Sequence, residues 1–146
     1  MRRRRVEVEN DTGTVTTYRR HENGQGLVSP LARVQSSAFV SPTAYVESDA
    51  QIGEDCWIGE GSWIDRGAAL GKRVFVGQNV HIGPNAHIGN GARLGSHSRI
   101  GASVSIAAGA RVGRDIQVPD NGVVEESNQA RQGFSDRRRS LAKIAV

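Results

Sequence analysis

The chain has 146 residues, one cysteine and a formal net charge of +4, enough for a single well-buried domain and incompatible with an internal disulfide framework. Aromatic residues make up only 5% and no apolar run approaches the length of a membrane span. The amino-terminal arginines are not followed by an apolar stretch, so no leader is predicted and a cytoplasmic protein is expected.

Charge is carried by the ends: residues 1–20 sum to +3, residues 125–146 to +2, and the span between them to −1. Arg2 to Arg5 and Arg137 to Arg139 read as solvated arms. Without aromatic interleaving, nucleic-acid binding is not expected. Next come two alternating segments, Val6 to Glu9 and Thr14 to Tyr18, on either side of Asn10-Asp11-Thr12-Gly13, which predicts a β-hairpin. Asn23-Gly24-Gln25-Gly26 then turns the chain toward the main body.

From Val28 every sixth residue is aliphatic: Val28, Val34, Val40, Val46, Ile52, Ile58, Ile64, Leu70, Val76, Ile82, Ile88, Leu94, Ile100, Ile106, Val112, Val118 and Val124. The fourth residue after each is mostly small, as in Ala32, Ala38, Ala44, Cys56, Ser62 and Ala68. The third after is often Gly, Asn or Asp, types that tolerate a left-handed backbone. A helix is excluded, because six is not a multiple of 3.6 and a glycine in most hexads would cost about 1 kcal/mol each. The period instead predicts a β-helix of short strands and turns, with three strands to a triangular coil. Residues eighteen apart then stack, so that Val46, Ile64, Ile82, Ile100 and Val118 form one inward ladder. About five coils at a spacing of ~4.8 Å give a prism roughly 25 Å tall. Cys56 falls at an inward corner and reads as a small core residue.

The residue before each aliphatic position points outward. Three columns result: Phe39, Trp57, Phe75, Arg93, Arg111; then Tyr45, Trp63, His81, Arg99, Gln117; then Arg33, Gln51, Ala69, His87, Ser105. Two faces are aromatic below and arginine-rich above, the pattern of an interface, and a threefold homotrimer is expected unless the chain's own ends cover one of them. His81 and His87 lie on neighbouring faces, while His97 occupies a turn and reads as structural. After the repeats, Asp136 is predicted to cap a short helix with Leu141, Ile144 and Ala145 on one face. The expected organisation is a basic arm and hairpin cap over 1–27, a β-helix over 28–125, and a basic, partly helical tail over 126–146.

The hexad series from Val28 to Val124 resembles the bacterial hexapeptide-repeat superfamily. That resemblance implies an all-β fold, the left-handed parallel β-helix, and trimeric assembly. Left-handedness rests on the resemblance alone, since parallel crossovers are normally right-handed. His21-Glu22-Asn23-Gly24-Gln25-Gly26-Leu27-Val28 is similar to a leading motif of uncharacterised hexapeptide-repeat proteins grouped with transferases, although turn geometry alone accounts for its glycines.

In acyltransferases of the superfamily a histidine between subunits is the general base on an acceptor hydroxyl or amine, beside acyl-coenzyme A. The resemblance implies His81 as first choice and His87 as second, imidazole being suited to taking and returning a proton near neutral pH. Arg93, Arg99 and Arg111 are the implied partners of the cofactor's phosphates, and a small molecule is the implied acceptor. The enzymes' long interrupting loop is missing here, which favours the alternative of a non-catalytic trimerising scaffold. A zinc site of the gamma-class carbonic anhydrase kind fits poorly. Two coils below and two coils above His81 its column offers Tyr45 and Gln117 rather than imidazoles.

Overall fold

The computed structural model describes residues 5–9, 13 and 15–125. Strand β1 (Arg5–Glu9) pairs antiparallel with β2 (Val15–Arg20), and β2 in turn pairs antiparallel with β3 (Leu27–Val28). From β3 onward a two-residue strand recurs every six residues up to Val123–Val124. Each strand pairs in parallel with the one a coil away, and the strands fall into three sheets that form the faces of a prism. The first face carries Leu27, Tyr45, Trp63, His81, Arg99 and Gln117 outward. The second carries Arg33, Gln51, Ala69, His87, Ser105 and Val123, and the third Phe39, Trp57, Phe75, Arg93 and Arg111.

The inward ladder has the expected eighteen-residue step: Val46 faces Ile64, Ile64 faces Ile82, Ile82 faces Ile100, and Ile100 faces Val118. Every aliphatic residue of the series is buried except Val34, which is half-buried. Val34 sits on the lowest strand of the second face, and among the described residues no strand lies beneath it. The lowest strand of the first face is covered by β2. On the third face the loop from His21 to Gly26 does that work: Val40 donates its amide to the Asn23 carbonyl (3.0 Å), and the His21 Nε2 lies 2.8 Å from the Ala38 carbonyl oxygen. The glycine-rich segment is thus an end cap as well as a turn.

Corners divide into two kinds. Each residue three places after an inward aliphatic, from Asp49 to Asn121, has φ between 54° and 74°, as the third position of a type II turn requires. Arg73, His97 and Ser103 hold that conformation alongside the expected Gly, Asn and Asp. Leu31, Ser37 and Thr43, in the lowest coil, do not. Position rather than residue type therefore dictates the turn, since the tip amide must reach a carbonyl in the coil below, as Arg73 reaches Glu54 (2.8 Å). Glycine directly after the aliphatic residue has another cause. A Cβ at Gly59 would lie 2.5 Å from the Gly77 carbonyl oxygen, so adjacent coils leave no room for it.

Polar residues at the small inward position are satisfied: the Ser62 hydroxyl donates to the Gly77 carbonyl (2.7 Å) and accepts from the Val80 amide (3.0 Å). The Cys56 thiol is buried and contacts the Gly71 carbonyl at 3.0 Å. No helix among the described residues is long and apolar enough to cross a membrane. The helix expected around Leu141 lies outside the described residues.

Candidate functional site

The outward columns are ladders, because each side chain lies one coil above its predecessor. On the first face the His81 ring stacks on the Trp63 indole, with centroids 4.2 Å apart and planes 17° from parallel. The same imidazole presents Nε2 to Asp65 Oδ2 at 3.1 Å, with the His81 side chain 29% and the Asp65 side chain 18% exposed. A carboxylate only accepts, so this contact places the ring proton on Nε2 and the lone pair of the neutral ring on Nδ1. Asp65 occupies the position after the inward Ile64 that is elsewhere mostly glycine.

One coil lower the pattern repeats. Glu47 follows Val46, and its Oε2 accepts the Trp63 indole N–H at 2.8 Å. Both carboxylates thus receive a donor sixteen residues later in the chain. The Tyr18 hydroxyl of β2 also donates to Glu47, 2.9 Å from Oε1 and 3.2 Å from Oε2, and its ring meets Tyr45 edge to face at 5.2 Å. Burial and the adjacent Glu47 carboxylate push the Tyr18 hydroxyl far above its ordinary value. Gly83 ends the acidic series under Arg99, which stands directly above His81.

On the third face Phe39 and Trp57 stack at 4.1 Å and 15°, and the Arg93 guanidinium lies 4.8 Å from the Phe75 ring centre. Phe75, Arg93, Gly95, Arg111 and Gly113 line an open groove of about 210 Å³. Arg93 and Arg111 are in register one coil apart, and among the described residues neither they nor Arg99 forms a salt bridge. Trp57 and Trp63 remain 47% and 42% exposed.

The five candidate residues divide by edge. His81 and Arg99 on the first face, and Arg93 and Arg111 on the third, flank the edge formed by turns such as Gly95–Ser98, with His97 at its tip. His87 stands on the second face, exposed, its Nδ1 3.2 Å from the Asn85 carbonyl oxygen. One chain therefore does not bring His81 and His87 together. Gln51, Ala69, His87 and Ser105 line a separate shallow groove of about 390 Å³ on the second face, where Ala69 leaves a gap between longer neighbours. Sequence reasoning missed Glu47, Asp65 and Tyr18. The available signal was the departure from glycine after Val46 and Ile64.

A profile of the GMPPB C-terminal domain matches residues 23–128. No curated protein sequence matches the chain. Among solved structures, PerB from Caulobacter crescentus in complex with CoA and GDP-perosamine is 25% identical, with a TM-score of 0.71 over 75% of this chain and 53% of PerB. The acetyltransferase domain of PglB from Neisseria gonorrhoeae is 23% identical, with a TM-score of 0.72 over 75% of this chain and 54% of that one. The same domain in complex with acetyl coenzyme A aligns at 26% identity with a TM-score of 0.51, over 67% of this chain and 53% of that one. The chain spans about half the length of these structures. It belongs to the family of the GMPPB C-terminal domain, and its fold is the left-handed hexapeptide-repeat β-helix.

Proposed function

We propose that the protein is an acetyl-coenzyme A-dependent acyltransferase acting on a small-molecule acceptor, with His81 as general base. The observation that carries this reading is the outward imidazole of His81 with Nε2 held by Asp65 at 3.1 Å. Nδ1 then accepts the proton from the acceptor's amine or hydroxyl, and the Asp65 carboxylate stabilises the imidazolium that forms. Stacking on Trp63 fixes the plane of the ring, so the proton is taken along one direction.

Acetyl-coenzyme A, when bound, would supply the acyl group as a thioester: as the acceptor's nitrogen or oxygen bonds to the acyl carbon the C–S bond would break, and the proton held on His81 would pass to the departing thiolate. The residues around the edge between the third and first faces fit an anionic cofactor of this kind: Arg93 and Arg111 present cations beside an open groove, and Arg99 stands over His81 with no acid of its own among the described residues. PerB holds CoA and GDP-perosamine, which makes a nucleotide-linked sugar the first acceptor class to test. The half of PerB that this chain does not cover leaves room for acceptor contacts of another origin.

The proposed assembly is a homotrimer. Trp57 and Trp63, on adjacent faces, supply apolar surface for it, and a neighbouring subunit would bring His87 toward His81. The second reading, a trimerising scaffold without catalysis, is favoured by the uninterrupted run of two-residue strands. Thermal unfolding with and without acetyl-coenzyme A separates the two. The enzyme reading expects stabilisation that is lost in Arg93→Ala and Arg111→Ala, with the mass measured by light scattering unchanged at three chains; no stabilisation of a stable trimer favours the scaffold.

A further inference from the structure

We infer that Glu47 is a positioning residue that couples the amino-terminal hairpin to the ring of His81. The catalytic side of this inference rests on the reading of His81 as the base; the structural side does not. Three observations meet at Glu47. Its carboxylate takes the Tyr18 hydroxyl of β2 at 2.9 Å and the Trp63 indole N–H at 2.8 Å, and the Trp63 ring is the surface on which His81 lies.

An indole has two side-chain torsions, and anchoring Nε1 leaves little freedom in either. Trp63 is 42% exposed, so packing alone does not fix its plane; the hydrogen bond to Glu47 supplies the missing restraint. His81 is then held twice, through its face by Trp63 and through Nε2 by Asp65. The two carboxylates do the same job one coil apart, but only Glu47 is also tied to the hairpin. Undocking of β2 removes the Tyr18 donor, frees the Glu47 side chain, and loosens the indole beneath His81. Register within the solenoid is untouched by this, because the coils are held by backbone hydrogen bonds that do not involve the hairpin.

The test is the histidine ring C–H spectrum of the full chain, read by NMR in the wild type and in Glu47→Ala, Glu47→Gln and Tyr18→Phe. In the wild type the His81 protons, stacked over an indole, resonate upfield of those of His87 and His97. Glu47→Ala is expected to abolish most of that displacement without moving His87 or His97, and Glu47→Gln, which keeps an oxygen acceptor for the indole, to restore it. Tyr18→Phe, the loss of one oxygen atom, is expected to remove part of it and keeps the test alive if Glu47→Ala does not fold. Unchanged His81 resonances in folded Tyr18→Phe and Glu47→Ala overturn the inference. Acetyl transfer in His81→Ala separates the two claims: transfer equal to wild type, with the upfield displacement of His81 lost in Glu47→Ala, overturns the base assignment and supports the positioning role.

Discussion

Replacing Ile82 by alanine opens a hole that the solenoid has no means of closing. Ile82 is fully buried, with Ile64 below and Ile100 above in the same ladder. Removing three carbons forfeits about 2.4 kcal/mol of transfer free energy at roughly 0.8 kcal/mol each. A residual cavity of about 80 Å³, at roughly 24 cal/mol per Å³, adds about 2 kcal/mol. The sum, about 4 kcal/mol, lies toward the upper part of the range for such truncations because relaxation is blocked. The coils on either side are pinned by their own hydrogen bonds, including Gly83 N–H to the Ile100 carbonyl (2.7 Å) and Asp65 N–H to the Ile82 carbonyl (2.9 Å). Urea unfolding of Ile82→Ala against wild type, followed by circular dichroism, measures the loss, and Val34→Ala is the internal comparison. Half-buried Val34 at the open lower edge is expected to cost about 1 kcal/mol or less. Equal losses at the two positions would refute the picture of a rigid, uniformly stacked core.

Three further outcomes follow from individual residues. The raised Tyr18 pKa means that the fold favours the neutral hydroxyl; its contribution is fully present below the ordinary value of 10.0 and is lost as pH rises above it, so the stability gap between wild type and Tyr18→Phe should narrow in melts taken above pH 10.0. Burial pushes the Cys56 thiol up, so an aromatic disulfide reagent should label it only at the rate of unfolding, and prompt labelling of the native protein would contradict its place in the core. His97 holds φ at 66°, so the β-branched His97→Val should cost about 1–2 kcal/mol in the same urea assay while His97→Gly costs nothing measurable; equal losses in the two variants would contradict the left-handed constraint at this turn.

The inward positions were legible because a period of six leaves one orientation for every residue in it, and Val28 to Val124 never break that period. The outward columns followed by the same counting, which is how His81 came to stand between Trp63 and Arg99. What counting along the chain did not reveal is contact between a corner and the next coil. Glu47 to Trp63 and Asp65 to His81 span sixteen residues, two short of a full coil, because the carboxylate reaches from a turn back onto a strand. Tyr18 was hidden for a different reason: alternation predicts a hairpin but gives no register between β2 and β3, and that register alone brings its hydroxyl to Glu47. Arg73 and Ser103 in the left-handed turn position show the backbone of the coil overriding residue preference.

The central claim is that His81, oriented by Asp65, takes a proton during acyl transfer. The most direct measurement is release of the free thiol from acetyl-coenzyme A in the presence of an acceptor of the proposed class, a nucleotide-linked sugar, comparing wild type with His81→Ala. The account predicts acceptor-dependent release that falls by about 10²–10⁴-fold in the variant, with coenzyme A still stabilising the fold. Release that is equal in the two proteins would contradict it.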